Sequence, residues 1–413
     1  MQIAYLIPEF PGQTHSFFWR ERAALHEIGI TAHIVSTREP SKALMSHQWA
    51  KKAKLETFYL ARLGAADVAR VCFDCLHFSP AAWMRVGEVA VRENTIREWP
   101  STIASILLAV RLATFMKSRN LTHVHVHSCA NSALIALFAN RLADITYSLT
   151  LHGDLRDYGR QQRIKWRYAA FAITITHRLY DQVHLELGED LPKAIGIAPM
   201  GVDPAVFRRA RSYTPWNGSG SLRLFSCGRL NYVKGHQDLI RAVAILTKAG
   251  VNVCLEIAGE DELGGGGFHR QLDDTISHLN LVGNVKLLGA VNEQQIIEGL
   301  ETAHLFVLAS HHEPLGVAIM EAMSCKTPVI STNGGGVPEL IDHGVDGFLV
   351  SPQNPEDLAS SIKELALNAS LAKQFSAAGR SKVLRRFNSN ASAAELKRML
   401  ELTSASREIR SSE

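Results

Sequence analysis

Apolar residues in this chain follow two periods, which alternate along its length. Short runs rich in β-branched residues predict strands, and longer stretches with an apolar residue at every third or fourth position predict helices. The alternation occurs twice and is typical of parallel sheets covered by helices. The predicted strands are residues 2–7, 31–36, 123–127, 147–151, 173–176 and 195–198 in the first half, and 222–227, 253–258, 285–288, 305–309, 329–331 and 348–350 in the second.

A stretch rich in Pro, Gly and Ser at 213–221 separates the two halves and predicts a linker. We therefore predict an α/β protein with two doubly wound, Rossmann-like domains at 1–200 and 222–387, joined by residues 201–221. Residues 388–413 are predicted to form a C-terminal helix that packs back on the N-terminal domain. Ligands of such sheets bind beyond the carboxyl ends of the strands, so a cleft between the domains is the expected site.

Length and composition fit a globular protein and exclude some partners. The 413 residues suffice for two domains of about 150 to 200 residues each. A net charge of +4 is too balanced to indicate nucleic acid binding. The six cysteines are scattered and do not resemble a disulfide framework, which favours a reducing compartment.

We expect no signal peptide and no membrane-spanning helix. Residues 1–8 lack a basic region and a long apolar run, and they predict a first strand. The most apolar stretch, 103–116, contains Arg111 and predicts an amphipathic helix within a region, 40–121, that is mostly helical. A basic stretch with one tryptophan at 160–167 fits a solvated helix face better than peripheral contact with a membrane surface.

The loop after the predicted strand 222–227 carries two cations. Arg229 and Lys234 lie five residues apart and lead into a helix. Two fixed cations beside the free N–H groups of a helix start suit a diphosphate. By themselves they could also be two solvated surface charges.

The loop after the predicted strand 305–309 carries two carboxylates. Pro314 and Gly316 allow a tight turn that opens a helix, with Glu313 at the mouth of the turn. Glu321 follows about two turns along that helix, on a similar face. The alternative is a capping carboxylate followed by a surface glutamate.

The loop after the predicted strand 329–331 contains three consecutive glycines at 334–336. Glycines permit close approach of the backbone to a ligand. A flexible turn is an equally good interpretation of these residues taken alone.

Together these loops resemble the retaining glycosyltransferases of family 4, which have the GT-B fold. The matching segments follow the family's order. They are the phosphate-binding pair Arg229 and Lys234, the paired glutamates Glu313 and Glu321, the Gly-Gly-x-Pro-Glu segment at 334–339, and the interdomain segment at 200–203 with Phe207.

This resemblance implies that the N-terminal domain binds an acceptor and the C-terminal domain a UDP- or GDP-linked sugar. It also implies that the anomeric configuration is retained and that fixed cations replace a metal ion, with no cofactor. Glu313 would bind the donor sugar and Glu321 the ribose hydroxyls. The remaining implied contacts are Arg229, Lys234, Leu315, Gly316 and Gly12 at the diphosphate, His152 at the sugar, and Gly259 and Leu288 near the base.

The N-terminal half is similar to bacterial exopolysaccharide glycosyltransferases of the colanic-acid type. The similarity lies at residues 11–18 with Glu21, at 125–127 and at 148–153. Those enzymes usually have Ser-Glu-Thr-Phe where this chain has Thr-His-Ser-Phe at 14–17. The resemblance implies a cytoplasmic protein in polysaccharide biosynthesis, with a glycan or lipid-linked acceptor and peripheral contact with the inner membrane surface.

Other interpretations stay open. Another GT-B enzyme, such as a nucleotide-sugar epimerase or a phosphorylase, is one, and a transferase-like binding subunit without activity is another.

His123, His125 and His127 share one face of a strand, but no thiol or carboxylate cluster accompanies them as a metal site would require. Cys72 and Cys75 have redox spacing and are better explained as two helical cysteines. No glycine-rich dinucleotide fingerprint follows the first strand, which disfavours an oxidoreductase.

Overall fold

The computed structural model describes residues 1–12, 15–40, 47–62, 64–93, 98–261 and 263–411, which form two domains. Within these residues the N-terminal sheet has seven parallel strands in the order β3-β2-β1-β4-β5-β6-β7. They are β1 (Gln2–Glu9), β2 (Thr31–Arg38), β3 (Phe58–Tyr59), β4 (His123–Val126), β5 (Thr146–Leu151), β6 (Ala172–Thr174) and β7 (Ile195–Ile197).

Helices cover both faces of this sheet. They are α1 (Ser16–Glu27), α2 (Ala50–Glu56), α3 (Ala65–Cys75), α4 (Pro80–Glu93), α5 (Trp99–Ser118), α6 (Asn131–Ala143), α7 (Gln162–Arg167) and α8 (His177–Leu187). Helix α6 is apolar nearly all round and is almost wholly buried, as expected for a helix packed between a sheet and its neighbours.

Helix α5 is, among the described residues, the one helix that is both long and strongly apolar. Its length and composition would allow it to cross a membrane, a test that core helices of globular proteins also pass. Here Ala109, Leu112 and Met116 are buried in the core of the N-terminal domain. The guanidinium of Arg111 donates hydrogen bonds of 2.9 Å to the carbonyls of Leu60 and Arg62, so the charge that interrupts the apolar stretch has polar partners.

The C-terminal sheet has six parallel strands in the described residues, in the order β10-β9-β8-β11-β12-β13. They are β8 (Leu222–Cys227), β9 (Val253–Ala258), β10 (Val285–Leu287), β11 (Leu305–Leu308), β12 (Val329–Thr332) and β13 (Phe348–Val350). The helices are α9 (His236–Lys248), α10 (Phe268–His278), α11 (Glu293–Thr302), α12 (Val317–Ser324), α13 (Val337–Leu340), α14 (Pro355–Leu367) and α15 (Ala369–Arg386).

The last helix, α16 (Ser389–Ser411), belongs to the core of the N-terminal domain. Its buried side chains Ala393, Leu396 and Met399 pack in the same apolar cluster as Phe18 of α1. The chain therefore crosses between the domains twice. The two crossings lie side by side, because the N–H of Val202 donates to Phe387 (3.0 Å) and the N–H of Ser389 donates to Val202 (3.0 Å).

The predicted fold class is confirmed. Twelve predicted strands are present with ends that differ by no more than two residues, and three of them, at 222–227, 253–258 and 348–350, have the predicted ends. Strand β3 was missed because two residues carry no recognisable period. The region 40–121, predicted to be mostly helical, contains α2 to α5 around that short strand; residues 41–46, 63 and 94–97 lie outside the described residues.

Candidate active site

A cleft between the domains encloses a cavity of about 420 Å³. The carboxyl ends of β1, β4 and β5 contribute to one wall, and the loops after β8 and β11 contribute to the other. Seven of the ten residues that the family resemblance implies at the donor line it: His152, Arg229, Lys234, Glu313, Leu315, Gly316 and Glu321. Residues that are distant in sequence and come from both domains therefore meet in one place.

Lys234 is held by a short helical turn that leads into α9. The side chain of Asn231 accepts the backbone N–H of Lys234 (3.1 Å), and Gly235 ends the turn in a left-handed conformation. A Cβ on residue 235 would lie 1.9 Å from the carbonyl oxygen of Ala309, so a larger residue does not fit. This turn places the Lys234 ammonium against the carboxylate of Glu313, with which it forms an ion pair.

Glu313 lies in the loop between β11 and α12 and is largely buried. Besides Lys234 it has the hydroxyl of Ser310, which donates to its Oε2 over 3.1 Å. The lysine that is expected to bind phosphate and the carboxylate that is expected to bind the sugar thus form an ion pair with each other.

The three glycines at 334–336 pack against the loop that carries Glu313. A Cβ on Gly334, Gly335 or Gly336 would lie 2.0–2.3 Å from a carbonyl oxygen of residues 311, 313 or 314. Gly335 also has a φ of +79°, which disfavours other residues. The close approach in this structure is therefore between two loops of the protein, and its effect is to fix the backbone around Glu313.

Helix α12 begins at the cleft, directly after Gly316. That glycine has a φ of +103°, and a Cβ there would lie 2.8 Å from the side chain of Ile319. Residues 315–318 line the cavity, so the start of this helix faces the cleft, and the N–H groups at a helix start can bind an anion.

Glu321, two turns along α12, is buried and bound to Arg20 of α1. The Nη1 of Arg20 lies 2.9 Å from Glu321 Oε1, and its Nη2 lies 2.9 Å from Oε2 of Glu293, the first residue of α11. Burial raises the pKa of the Glu321 carboxyl, and the nearby guanidinium partly offsets that effect. Sequence reasoning missed Arg20 and Glu293, since no motif links residues about 300 positions apart.

Histidines line the N-terminal wall, and burial keeps them neutral. Burial and the charge of His15 lower the pKa of His152 to about 3, and burial and the charge of Arg229 lower that of His15 to about 4. The Nε2 of His152 lies 3.1 Å from Nδ1 of His127, whose pKa burial also holds well below its usual value. These rings can exchange hydrogen bonds with a ligand but do not bring positive charge at neutral pH.

Three of the expected donor contacts do not line this cavity. Gly259 packs against the carbonyl of Gly228, and its N–H donates to Gly289 (2.9 Å). The N–H of Leu288 donates to Ile257 (2.9 Å). A Cβ on Gly12 would lie 2.7 Å from the ring of His15, which does line the cleft, while residues 13 and 14 lie outside the described residues.

The histidines of β4 have partners other than a metal ion. The ring nitrogens of His123 meet hydroxyls of Thr146 and Ser148 at 2.9 and 2.8 Å, and those of His125 meet Ser148 and Thr150 at 2.7 and 2.9 Å. In the described part of the chain no group of three or more His, Cys, Asp or Glu could hold a metal ion.

The basic stretch at 160–167 is only partly exposed. Trp166 is completely buried, and the Lys165 ammonium donates to the carbonyls of Cys129 (3.0 Å) and Arg160 (2.8 Å). Arg163 and Arg167 both bind Asp190. The tryptophan is therefore part of the core and is not available to a membrane surface.

Residues 217–382 match the family model Glycosyl transferases group 1. The match covers the C-terminal wall of the cleft, including Arg229, Lys234, Glu313 and Glu321.

The C-terminal half contains a glycosyltransferase group 1 domain.

Curated relatives are similar to parts of this chain. The amylovoran biosynthesis glycosyltransferase AmsK of Erwinia amylovora is 31% identical over 233 residues, which are 54% of each chain. The N-acetyl-α-D-glucosaminyl L-malate synthase of Bacillus anthracis is 24% identical over 319 residues, 73% of this chain and 80% of that one. The alignments with the first three such relatives span 33% to 54% of their length, about half or less.

Solved structures extend the likeness in fold to the whole chain. HepE of Anabaena, solved with UDP-glucose, superposes with a TM-score of 0.72 at 18% identity and covers 98% of this chain and 100% of that one. The glycosyltransferase group 1 domain therefore forms the C-terminal half of a GT-B fold.

Proposed function

We propose that this protein is a retaining, metal-independent glycosyltransferase of family 4. It transfers a sugar from a UDP- or GDP-linked donor to a glycan or lipid-linked acceptor in bacterial polysaccharide biosynthesis. The observation that carries this proposal is the meeting of Arg229, Lys234, Glu313, Glu321 and the start of α12 in one interdomain cleft. The similarity to AmsK, which is named for amylovoran biosynthesis, supports a polysaccharide product.

The leaving group of the reaction is a nucleoside diphosphate, so charge develops on phosphate oxygens. Arg229, Lys234 and the first-turn N–H groups of α12 are placed to stabilise that charge. Because Lys234 is paired with Glu313 before the donor arrives, binding exchanges that ion pair for two ligand contacts. Lys234 then binds the diphosphate, and Glu313 accepts hydrogen bonds from sugar hydroxyls.

The acceptor hydroxyl attacks the anomeric carbon on the face from which the diphosphate leaves. The bond from the anomeric carbon to the acceptor oxygen forms as the bond to the phosphate oxygen breaks, and the acceptor proton passes to the diphosphate. His152 accepts or donates a hydrogen bond as a neutral imidazole, in keeping with its low pKa. The protein acts at the cytoplasmic side of the inner membrane, where such donors and lipid-linked acceptors meet.

A donor screen tests this proposal. UDP- and GDP-linked sugars are each incubated with lipid-linked sugars, oligosaccharides and small soluble acceptors, and the released UDP or GDP is measured. Release that depends on a glycan or lipid-linked acceptor supports the proposal. Release only with a phenol or inositol phosphate overturns the acceptor class, and donor hydrolysis without any acceptor would favour an epimerase. Binding of nucleoside diphosphates without turnover on any acceptor would favour a binding subunit.

A further inference from the structure

Arg20 belongs to the N-terminal domain but contacts the wall of the cleft that is expected to bind the donor. It lies on α1, yet both partners of its guanidinium belong to the C-terminal domain. Only 8% of its side chain is exposed, and its guanidinium lies 4.4 Å from the centre of the Phe207 ring. A buried arginine with two carboxylate partners and an aromatic face has its position fixed on three sides.

The two partners of Arg20 come from different helices and share one cation. Glu293 begins α11 and Glu321 lies in the second turn of α12. Each terminal nitrogen of the guanidinium, Nη1 and Nη2, meets one carboxylate oxygen at 2.9 Å, so the orientation of the guanidinium sets the orientation of both carboxylates. Without this cation the two carboxylates would face each other at a site largely removed from water, and their negative charges would repel.

Arg20 also separates two cavities. With Glu293 it lines the donor cleft on one side and, on the other, an interdomain cavity of about 650 Å³. The second cavity is bounded by the two chain crossings, at 202–206 and 388–390. Arg20 therefore lies between the point where the domains are joined and the carboxylate expected to bind the ribose.

We infer that Arg20 is a positioning residue for the donor nucleoside, because it holds Glu321 in the orientation that accepts the ribose hydroxyls. This inference rests on the proposed function, in which Glu321 contacts the ribose. Through Arg20, the N-terminal domain contributes to recognition of a nucleotide that the C-terminal domain binds. Arg20 itself acts through Glu321.

Titration calorimetry with UDP and with 2′,3′-dideoxy-UDP tests the inference, since the ratio of the two dissociation constants isolates the ribose hydroxyls. Should UDP not bind, GDP and 2′,3′-dideoxy-GDP replace them. The wild type is expected to prefer the ribonucleotide by about 10- to 100-fold. Glu321→Gln should reduce the preference to within about threefold, and Arg20→Met should reduce it by at least about fivefold. Arg22→Met, on the same helix but paired with Glu56, should leave it unchanged.

The outcomes separate the inference from the proposed function. If Glu321→Gln loses the preference and Arg20→Met keeps it, the role of Arg20 is overturned and the donor site stands. The same conclusion follows if Arg20→Met weakens the binding of both nucleotides equally. If Glu321→Gln keeps the preference, or neither nucleotide pair binds the wild type, the proposed donor site itself fails. Should Arg20→Met not fold, Arg20→Lys carries the test. A single ammonium cannot reproduce the guanidinium, so the preference should fall at least about threefold, and an unchanged ratio would overturn the inference.

Discussion

The carboxylate of Glu339 accepts the backbone N–H of His177, 2.7 Å away, across the boundary between the two domains. Its second oxygen accepts the N–H of Arg178 at 2.8 Å. Both N–H groups belong to the first turn of α8, where a negative charge also meets the positive end of the helix. The last residue of the Gly-Gly-x-Pro-Glu segment thus binds the opposite domain.

We expect Glu339→Ala to loosen this arrangement. The variant should lose about 1 to 2 kcal/mol of interdomain stabilisation, increase the radius of gyration in small-angle scattering and raise the donor KM several-fold. Glu356→Ala, at the exposed start of α14, is the matched control and should scatter like the wild type. Equal scattering and equal KM for Glu339→Ala would show that the contact does not hold the domains.

Removing either member of the ion pair between Lys234 and Glu313 should abolish transfer. In the proposed mechanism, Lys234→Ala removes a fixed cation that binds the diphosphate, and Glu313→Gln removes the charge that binds the sugar. We expect each to lower kcat by about 100- to 1,000-fold, or about 2.7 to 4 kcal/mol of transition-state stabilisation. Circular dichroism should be unchanged. Lys248→Ala, exposed at the end of α9, should retain full activity, and near-wild-type rates for Lys234→Ala or Glu313→Gln would contradict the site.

Donor affinity should fall at acid pH because of Glu321. Burial raises the pKa of its carboxyl, so it takes up a proton at a higher pH than an ordinary glutamate as the pH falls. The protonated form accepts ribose hydroxyls less well, so the dissociation constant for UDP should increase from pH 7 to pH 5. In Glu321→Gln this carboxyl is absent, so the pH dependence of its dissociation constant reports the titration of UDP alone. If wild type and variant weaken in parallel, the carboxyl plays no part.

Folding stability should also decrease on acidification, and the buried histidines are the cause. The pKa of His236 is lowered to about 4 by burial and by the charge of Lys234, and that of His125 is well below its usual value. In the unfolded chain these rings bind protons below about pH 6.5, whereas in the folded protein they do not. Stability is therefore complete above pH 6.5 and decreases as the pH falls toward 4, by about 1 to 2 kcal/mol per buried ring at pH 5.

Urea unfolding at pH 7.5, 6 and 5 measures this loss. His125→Gln, which removes one buried ring, should show a shallower decrease than the wild type, because one fewer proton is taken up on unfolding. His184→Gln, at an exposed position of α8, serves as the control and should follow the wild type. Identical pH dependence for His125→Gln and wild type would exclude His125 as a contributor.

Chelation of divalent ions should have little effect on transfer, since in the proposed mechanism Arg229, Lys234 and the start of α12 supply the positive charge at the diphosphate. The expected result is a rate within about twofold after dialysis against EDTA. A rate that vanishes with EDTA and returns with Mg²⁺ or Mn²⁺ would contradict a metal-independent reaction.

The features that could be predicted from the sequence are those set by residues close together along the chain. Strands such as 222–227 and 305–309 were found because their period is local, and the loops around Arg229 and Glu313 because each follows one of these strands directly. Arg20 was missed because its partners are remote and an arginine in a helix carries no local sign of burial. The glycines at 334–336 were interpreted either as a close approach to a ligand or as a flexible turn, whereas the surface they approach is another loop, which no local pattern encodes.

The packing of α16 against the N-terminal domain determines how the chain can be divided for expression. Ala393, Leu396 and Met399 complete an apolar cluster begun by Ile3 and Tyr5, so the packing of β1 cannot be finished until α16 has been synthesised. Cutting the chain at residue 200 would yield a fragment with an open apolar surface. A fragment of 1–200 that is to be expressed separately therefore needs residues 389–411 supplied through a short fused connection or as a second polypeptide.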